Sequence, residues 1–141
     1  MLFDRVPINN LCFIRLNPGD DVLLSLRETV EKHEIKNAVI LSGVGSTTSH
    51  HYHVVASANM PPGNIFTKGD KPSDIVSING IIINGRIHAH IIHTDKDIAY
   101  GGHLEEGVKV LTFSVITLAE VDKNFDKWDT RGCIEELLKN D

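Results

Sequence analysis

Two histidines in one β-like segment have the spacing of paired metal ligands. His88 and His90 are separated by one residue within residues 81–93, a stretch rich in isoleucine and bounded by Asn and Gly. β-Branched residues favour strands, and side chains of a strand alternate between its two faces. His88 and His90 therefore point the same way, roughly 7 Å apart along the strand. His93 has the opposite parity and is expected to face away.

His103 follows closely enough to join the pair. The polar residues 94–97 predict a turn, after which the chain returns through residues 98–100. Gly101-Gly102 would let the backbone bend and bring His103 beside His88 and His90. Three neutral imidazoles suit zinc, or another divalent transition metal, with one position left open for water. A hydrogen-bonded histidine cluster without a metal fits the same residues, and the sequence leaves both interpretations open.

The preceding part of the chain supplies the elements that must position these histidines. Residues 11–16 predict a strand, and apolar residues at helical spacing predict a helix that Asp20 or Asp21 caps and that ends near His33. A buried strand is expected at 38–41. Gly43 and Gly45 then indicate a tight bend or a bulge.

The middle of the chain carries further histidines and a predicted loop. Residues 47–58 are β-like, and His51 and His53 share one face there. They could supply a further ligand, but we favour a face that meets solvent. The Pro- and Gly-rich residues 60–74 predict a long surface loop. Asn84-Gly85 predicts a hairpin turn.

The strands at 81–92 and 108–121 are apolar on both faces, which predicts burial by another element or another subunit. After residue 121 the chain contains a short helical candidate at 134–138.

Composition limits the class of protein. The 141 residues fit one domain, and no apolar run is long enough to cross a bilayer. Cys12 and Cys133 are far apart, which favours a reducing compartment, and we expect a cytoplasmic protein. The net charge of −5, without any basic run, disfavours strong, sequence-independent binding to DNA by this chain alone.

Several segments together resemble the PPC domain, the plants-and-prokaryotes-conserved domain. The matching segments, in family order over about residues 11–121, are 15–21, 38–45, 75–80, His88-Ala89-His90 and 101–107. The resemblance implies an α+β fold: a mixed, largely antiparallel sheet with one main helix packed on it, assembled as a homotrimer. On this basis residues 1–141 form a single PPC-like domain, of which 122–141 are a C-terminal extension.

The resemblance also implies a metal on His88, His90 and His103. Stand-alone prokaryotic members are commonly labelled DNA-binding, but this sequence contains no AT-hook.

Two functions from different classes follow. The first is a metal-binding trimeric module with a regulatory role, associated with DNA or with a DNA-bound protein partner. The second is a metal-dependent enzyme, in which the open position of the metal activates water to attack a small-molecule ligand. Glu105 or Glu106 is then the candidate general base, although a solvated pair of glutamates at a turn explains the same residues.

Overall fold

The chain forms an eight-stranded sheet with one helix packed on it. The structure, a computed structural model, describes residues 3–59 and 61–125. Its elements in chain order are β1 (Ile8–Leu16), α1 (Val22–Lys32), β2 (Ala38–Thr47), β3 (His50–Val55), β4 (Asn64–Gly69), β5 (Ser73–Ile83), β6 (Arg86–Thr94), β7 (Ala99–Leu104) and β8 (Val110–Val121).

The strands lie side by side in the order β1-β8-β2-β5-β6-β7-β3-β4. All seven pairings are antiparallel, so the described strands include no parallel pair of the kind that a mixed sheet contains. The expected α+β class, with a largely antiparallel sheet and one main helix, is confirmed. Strand β5 is fourth in the order and lies in the middle of the sheet.

Helix α1 begins where its capping residue predicts. Asp21 Oδ1 accepts a hydrogen bond from the Leu24 amide at 3.1 Å, and Asp21 Oδ2 accepts one from the Gly107 amide at 2.7 Å. The second bond fixes the turn after β7 against the start of the helix. The apolar face of the helix is buried against the sheet, and the core contains Leu23, Leu26, Val30, Ile40, Ile78, Ile82, Ile91, Ile116 and Leu118.

The hairpin between β5 and β6 has the geometry that its sequence predicts. Asn84 and Gly85 lie at φ 51° and 78°, the left-handed values that both central residues of a type I′ turn require. The turn sets the β5–β6 register, in which Ile81 pairs with His88 and Asn79 with His90. It therefore determines which face of the sheet carries the two histidines.

Residues 60–74 are not simply a loop. Asn64–Gly69 form the edge strand β4, which pairs with β3 in a register that includes Val54 opposite Ile65. Ile65, Phe66 and Thr67 are good strand formers, but the flanking prolines and glycines concealed their short pattern in the sequence.

The glycine pair does not bend the chain. Gly101 and Gly102 lie inside β7, where they pair with Ile92 and Ile91. A Cβ atom on Gly101 would lie only 1.9 Å from the carbonyl oxygen of Ile91. The glycines are therefore needed for close approach between strands rather than for a turn.

The predicted helix at 134–138 and Cys133 lie outside the described residues. No helix in the described part of the chain is long and apolar enough to span a membrane.

Candidate metal centre

The β6–β7 hairpin brings the three predicted histidines together. His103 lies directly opposite His90 in the strand register. The ring centroids of His88, His90 and His103 are 4.6 to 5.7 Å apart. One ring nitrogen from each of them lies within 4.8 Å of the others. The arrangement differs from the sequence interpretation only in its cause, since an ordinary hairpin register, and not a glycine bend, returns His103.

His93 faces the opposite side of the sheet, as strand alternation predicts. It is fully buried at 0% exposure, with Nδ1 3.2 Å from Ser73 Oγ and 3.4 Å from Thr47 Oγ1. Its side chain is therefore part of the core and is separated from the three histidines by the sheet.

His53 belongs to the cluster, and the expectation that it faces solvent is wrong. It pairs with His103 across β3 and β7, is only 8% exposed, and stacks on the His103 ring with centroids 4.5 Å apart. The alternation of His51 and His53 shows that they share a face, but it cannot show which strand lies beside β3. The contact of His53 with the cluster was not expected because that neighbour, β7, is about 50 residues away in the sequence.

The two candidate glutamates have different surroundings. Glu105 Oε1 lies 2.6 Å from His53 Nδ1, and Glu105 forms with His53 and His103 a second group whose ligand atoms lie within 4.8 Å of one another. Glu106 instead forms an exposed ion pair with Arg27 of α1. Of the two, only Glu105 contributes to a histidine group.

The turn that carries Glu105 is held by hydrogen bonds on both sides. The Glu105 amide donates to the His51 carbonyl at 3.1 Å, and the Glu106 carbonyl accepts from His51 Nδ1 at 2.6 Å. Ser49 Oγ donates to the Gly107 carbonyl at 2.7 Å. The backbone of the turn that carries Glu105 is therefore tied to β3 and to the residue that precedes it.

The surroundings favour the neutral form of His90. Burial lowers the pKa of His90 below its usual value, and the nearby His53 lowers it further. A neutral imidazole has a free lone pair, which metal ligation requires. The electrostatics of the cluster are thus compatible with a divalent cation.

Solved structures with the same fold are known from several prokaryotes. A metal-containing protein from Archaeoglobus fulgidus is 22% identical, with TM-score 0.73 over 85% of this chain and 86% of that protein. A plant- and prokaryote-conserved (PPC) protein from Pyrococcus horikoshii is 19% identical, with TM-score 0.71 over 88% of this chain and 87% of that one. A "putative dna binding protein" from Bacteroides thetaiotaomicron is 15% identical, with TM-score 0.72 over 84% and 83% of the two chains. At these identities the likeness establishes the fold.

Among proteins of curated function, none matches this sequence significantly. The family model of the Plants and Prokaryotes Conserved (PCC) domain matches residues 4–122, which is wider than the segment from which the resemblance was inferred. Because that match covers most of the sequence, the chain belongs to the Plants and Prokaryotes Conserved domain family, whose name is also abbreviated PPC.

Proposed function

We propose that this chain is a metal-binding module that assembles as a homotrimer and has a regulatory role. His88, His90 and His103 are the proposed ligands of one divalent transition metal, with zinc as the first choice. The observation that supports the proposal best is the convergence of the three ring nitrogens within 4.8 Å. The similar protein from Archaeoglobus fulgidus is described as metal-containing, which is consistent with it.

The residues fit such an ion. Zinc accepts imidazole nitrogen as a ligand, and His88, His90 and His103 each offer one ring nitrogen within 4.8 Å of the others. A zinc ion held by three protein ligands keeps a fourth position for water, whose pKa it lowers. Nickel, copper and iron accept similar ligands, so elemental analysis must distinguish zinc from them.

The homotrimer is proposed from the outer face of the sheet, the face opposite α1. Apolar side chains on β1, β8, β2, β5 and β6 are exposed there: Leu11, Phe13, Val39, Leu41, Val44, Val76, Ile92 and Phe113. Phe13 is 70% exposed, and Val76 is 54% exposed. Monomeric proteins rarely expose an apolar surface of this extent, and copies of this chain would cover it. His88 and His90 lie on the same face as Ile92, so the proposed metal is next to the proposed interface.

The proposed regulatory role involves DNA through an assembly or a DNA-bound protein partner. Two solved structures of the same fold, from Bacteroides thetaiotaomicron and Ralstonia eutropha, are described as "putative" DNA-binding proteins. The net charge of −5 disfavours tight binding of this chain alone to DNA phosphates. We therefore propose an association that depends on a partner.

A metal-dependent enzyme is the second candidate, and the position of Glu105 is the observation that favours it. Glu105 is in the group with His53 and His103, where its carboxylate could accept a proton from water bound at the site. His53 Nδ1, at 2.6 Å from Glu105 Oε1, orients that carboxylate. Glu106, paired with Arg27, is not proposed as a base.

The test is metal content per chain by elemental analysis of purified protein. We expect about one equivalent of metal in the wild type, and most of it lost in His88→Ala, His90→Ala and His103→Ala. His33→Ala, at the helix C-cap and outside both histidine groups, is the matched control and should keep the metal. Equal metal content in the wild type and the three cluster variants, with folding checked by circular dichroism, would refute the proposal.

A further inference from the structure

A cavity of about 250 Å³ opens beside the histidine cluster, where β6 and β7 separate. The β6–β7 register runs from Thr94 opposite Ala99 to His90 opposite His103. The first four residues of β6, Arg86 to Ala89, extend beyond that register without a partner on β7. The cavity lies in this gap, and its wall includes Arg27, Arg86, Ala89, His103, Leu104 and Glu105.

The size of the cavity limits its occupant. Taking about 30 Å³ for each water molecule in the liquid, the volume corresponds to about eight waters. A small metabolite of about that many non-hydrogen atoms would fit. Leu23, Ile87, Ala89 and Leu104 form the apolar part of the wall, and its polar side chains are those of Arg27, Arg86, His103 and Glu105.

The charges around the cavity are unequally compensated. Glu106 pairs with Arg27, and Glu105 lies against His53. The Arg86 side chain is exposed, and within residues 3–59 and 61–125 it forms neither a hydrogen bond nor an ion pair. One guanidinium in the cavity wall therefore lacks a counter-charge.

We propose that this cavity binds a small molecule that carries an oxyanion, a carboxylate or a phosphate, with Arg86 as its principal partner. The guanidinium fork offers two parallel N–H donors that match either oxyanion. Arg27, on the other side of the cavity, adds a second positive group that its pairing with Glu106 only partly offsets. The inference rests on the proposed metal function in one respect, because a divalent cation on the neighbouring histidines would strengthen the attraction for an anion.

The cavity adjoins the residues that are proposed for the metal-dependent chemistry. His103 and Glu105 belong to the cavity wall and also to the histidine groups. A ligand anchored by Arg86 would thus have its remaining part next to the two residues on which the metal-dependent function depends. Arg86 acts here as a binding residue that positions the ligand.

The test uses inorganic phosphate and succinate as probes, titrated calorimetrically into zinc-loaded and metal-free protein. We expect at least one probe to bind in both states, and Arg86→Gln to weaken that binding at least tenfold. Arg86→Lys keeps the charge but loses the fork, so it should recover only part of the affinity. Arg15→Gln is the matched control, since Arg15 is an exposed arginine on the distant strand β1 and should leave binding unchanged.

The outcomes separate this inference from the metal proposal. Binding to metal-free protein that Arg86→Gln abolishes would support the anion site, even if elemental analysis found no metal. Normal metal content with equal probe binding in wild type and Arg86→Gln would overturn the anion site and leave the metal proposal intact. Failure of both probes to bind either form of the wild type would also overturn it.

Discussion

The imidazole of His53 lies between Glu105 and His103: its Nδ1 is 2.6 Å from Glu105 Oε1, and its ring stacks on His103 at a centroid distance of 4.5 Å. His103 is consequently shared by two groups that could each hold a metal, one with His88 and His90 and the other with His53 and Glu105. One imidazole nitrogen cannot ligate in both groups at once, so single substitutions discriminate between them.

We expect His90→Ala to lose most of the metal and His53→Gln to retain it with an affinity lowered about 10- to 100-fold. Loss of a residue that orients a ligand typically weakens metal binding by that amount, whereas loss of a ligand removes the site. Competition with a calibrated chelator measures both affinities. The reverse order, with His53→Gln more damaging than His90→Ala, would place the ion in the group with Glu105.

The stability of the fold should fall as the pH is lowered through the range in which histidine titrates. Burial, together with the nearby His50, lowers the pKa of His93 to about 4. Below pH 6.5 the unfolded chain binds a proton that the folded chain excludes until pH about 4, so the free energy of unfolding decreases as the pH falls through this window. The loss attributable to His93 is about 3 kcal/mol between neutral pH and pH 4.

Urea denaturation at fixed protein concentration measures this dependence. His93→Asn, which keeps a polar group near Ser73 and Thr47 but does not titrate, should show a shallower decline between pH 6.5 and 4. If the decline is equally steep in the variant, buried His93 is not its source.

The homotrimer should dissociate when charge is placed on the outer face of the sheet. Phe113 is 44% exposed in the single chain, and Phe113→Asp would put an unpaired carboxylate into the proposed interface. We expect light scattering to give three times the chain mass for the wild type and a smaller mass for the variant. Ile98→Asp, at an exposed position in the β6–β7 turn region, is the control and should remain trimeric. A wild-type mass of one chain at micromolar concentration would contradict the assembly.

Binding of duplex DNA by the isolated chain should be weak at physiological salt and should fall steeply as salt rises. Binding to phosphates releases counterions and is therefore salt-dependent, and a net charge of −5 makes the average interaction of the chain with DNA repulsive. Fluorescence anisotropy of a labelled duplex between 50 and 200 mM salt measures this. Tight binding that changed little across the range would show direct recognition and remove the need for a partner.

The sequence by itself determined the local structure and the strand face on which His88 and His90 lie. Helix α1, its Asp21 cap and the Asn84-Gly85 turn follow from short-range patterns, because capping and left-handed backbone are properties of a few adjacent residues. Strand alternation likewise placed His88 and His90 together and His93 on the other side. The resemblance to the family added the largely antiparallel sheet with one main helix, which the fold bears out, whereas the homotrimer stays a proposal.

Tertiary structure decided which distant residues join them. His53 enters the cluster only because β3 lies beside β7. Arg86 lines a cavity only because the β6–β7 pairing stops at His90, which leaves the first four residues of β6 without a partner on β7. Residues 64–69 become a strand because β3 offers an edge for pairing, although their own pattern is short. These features depend on strand order and register, which are fixed by packing between segments far apart in the chain and leave no periodic signal within any one of them.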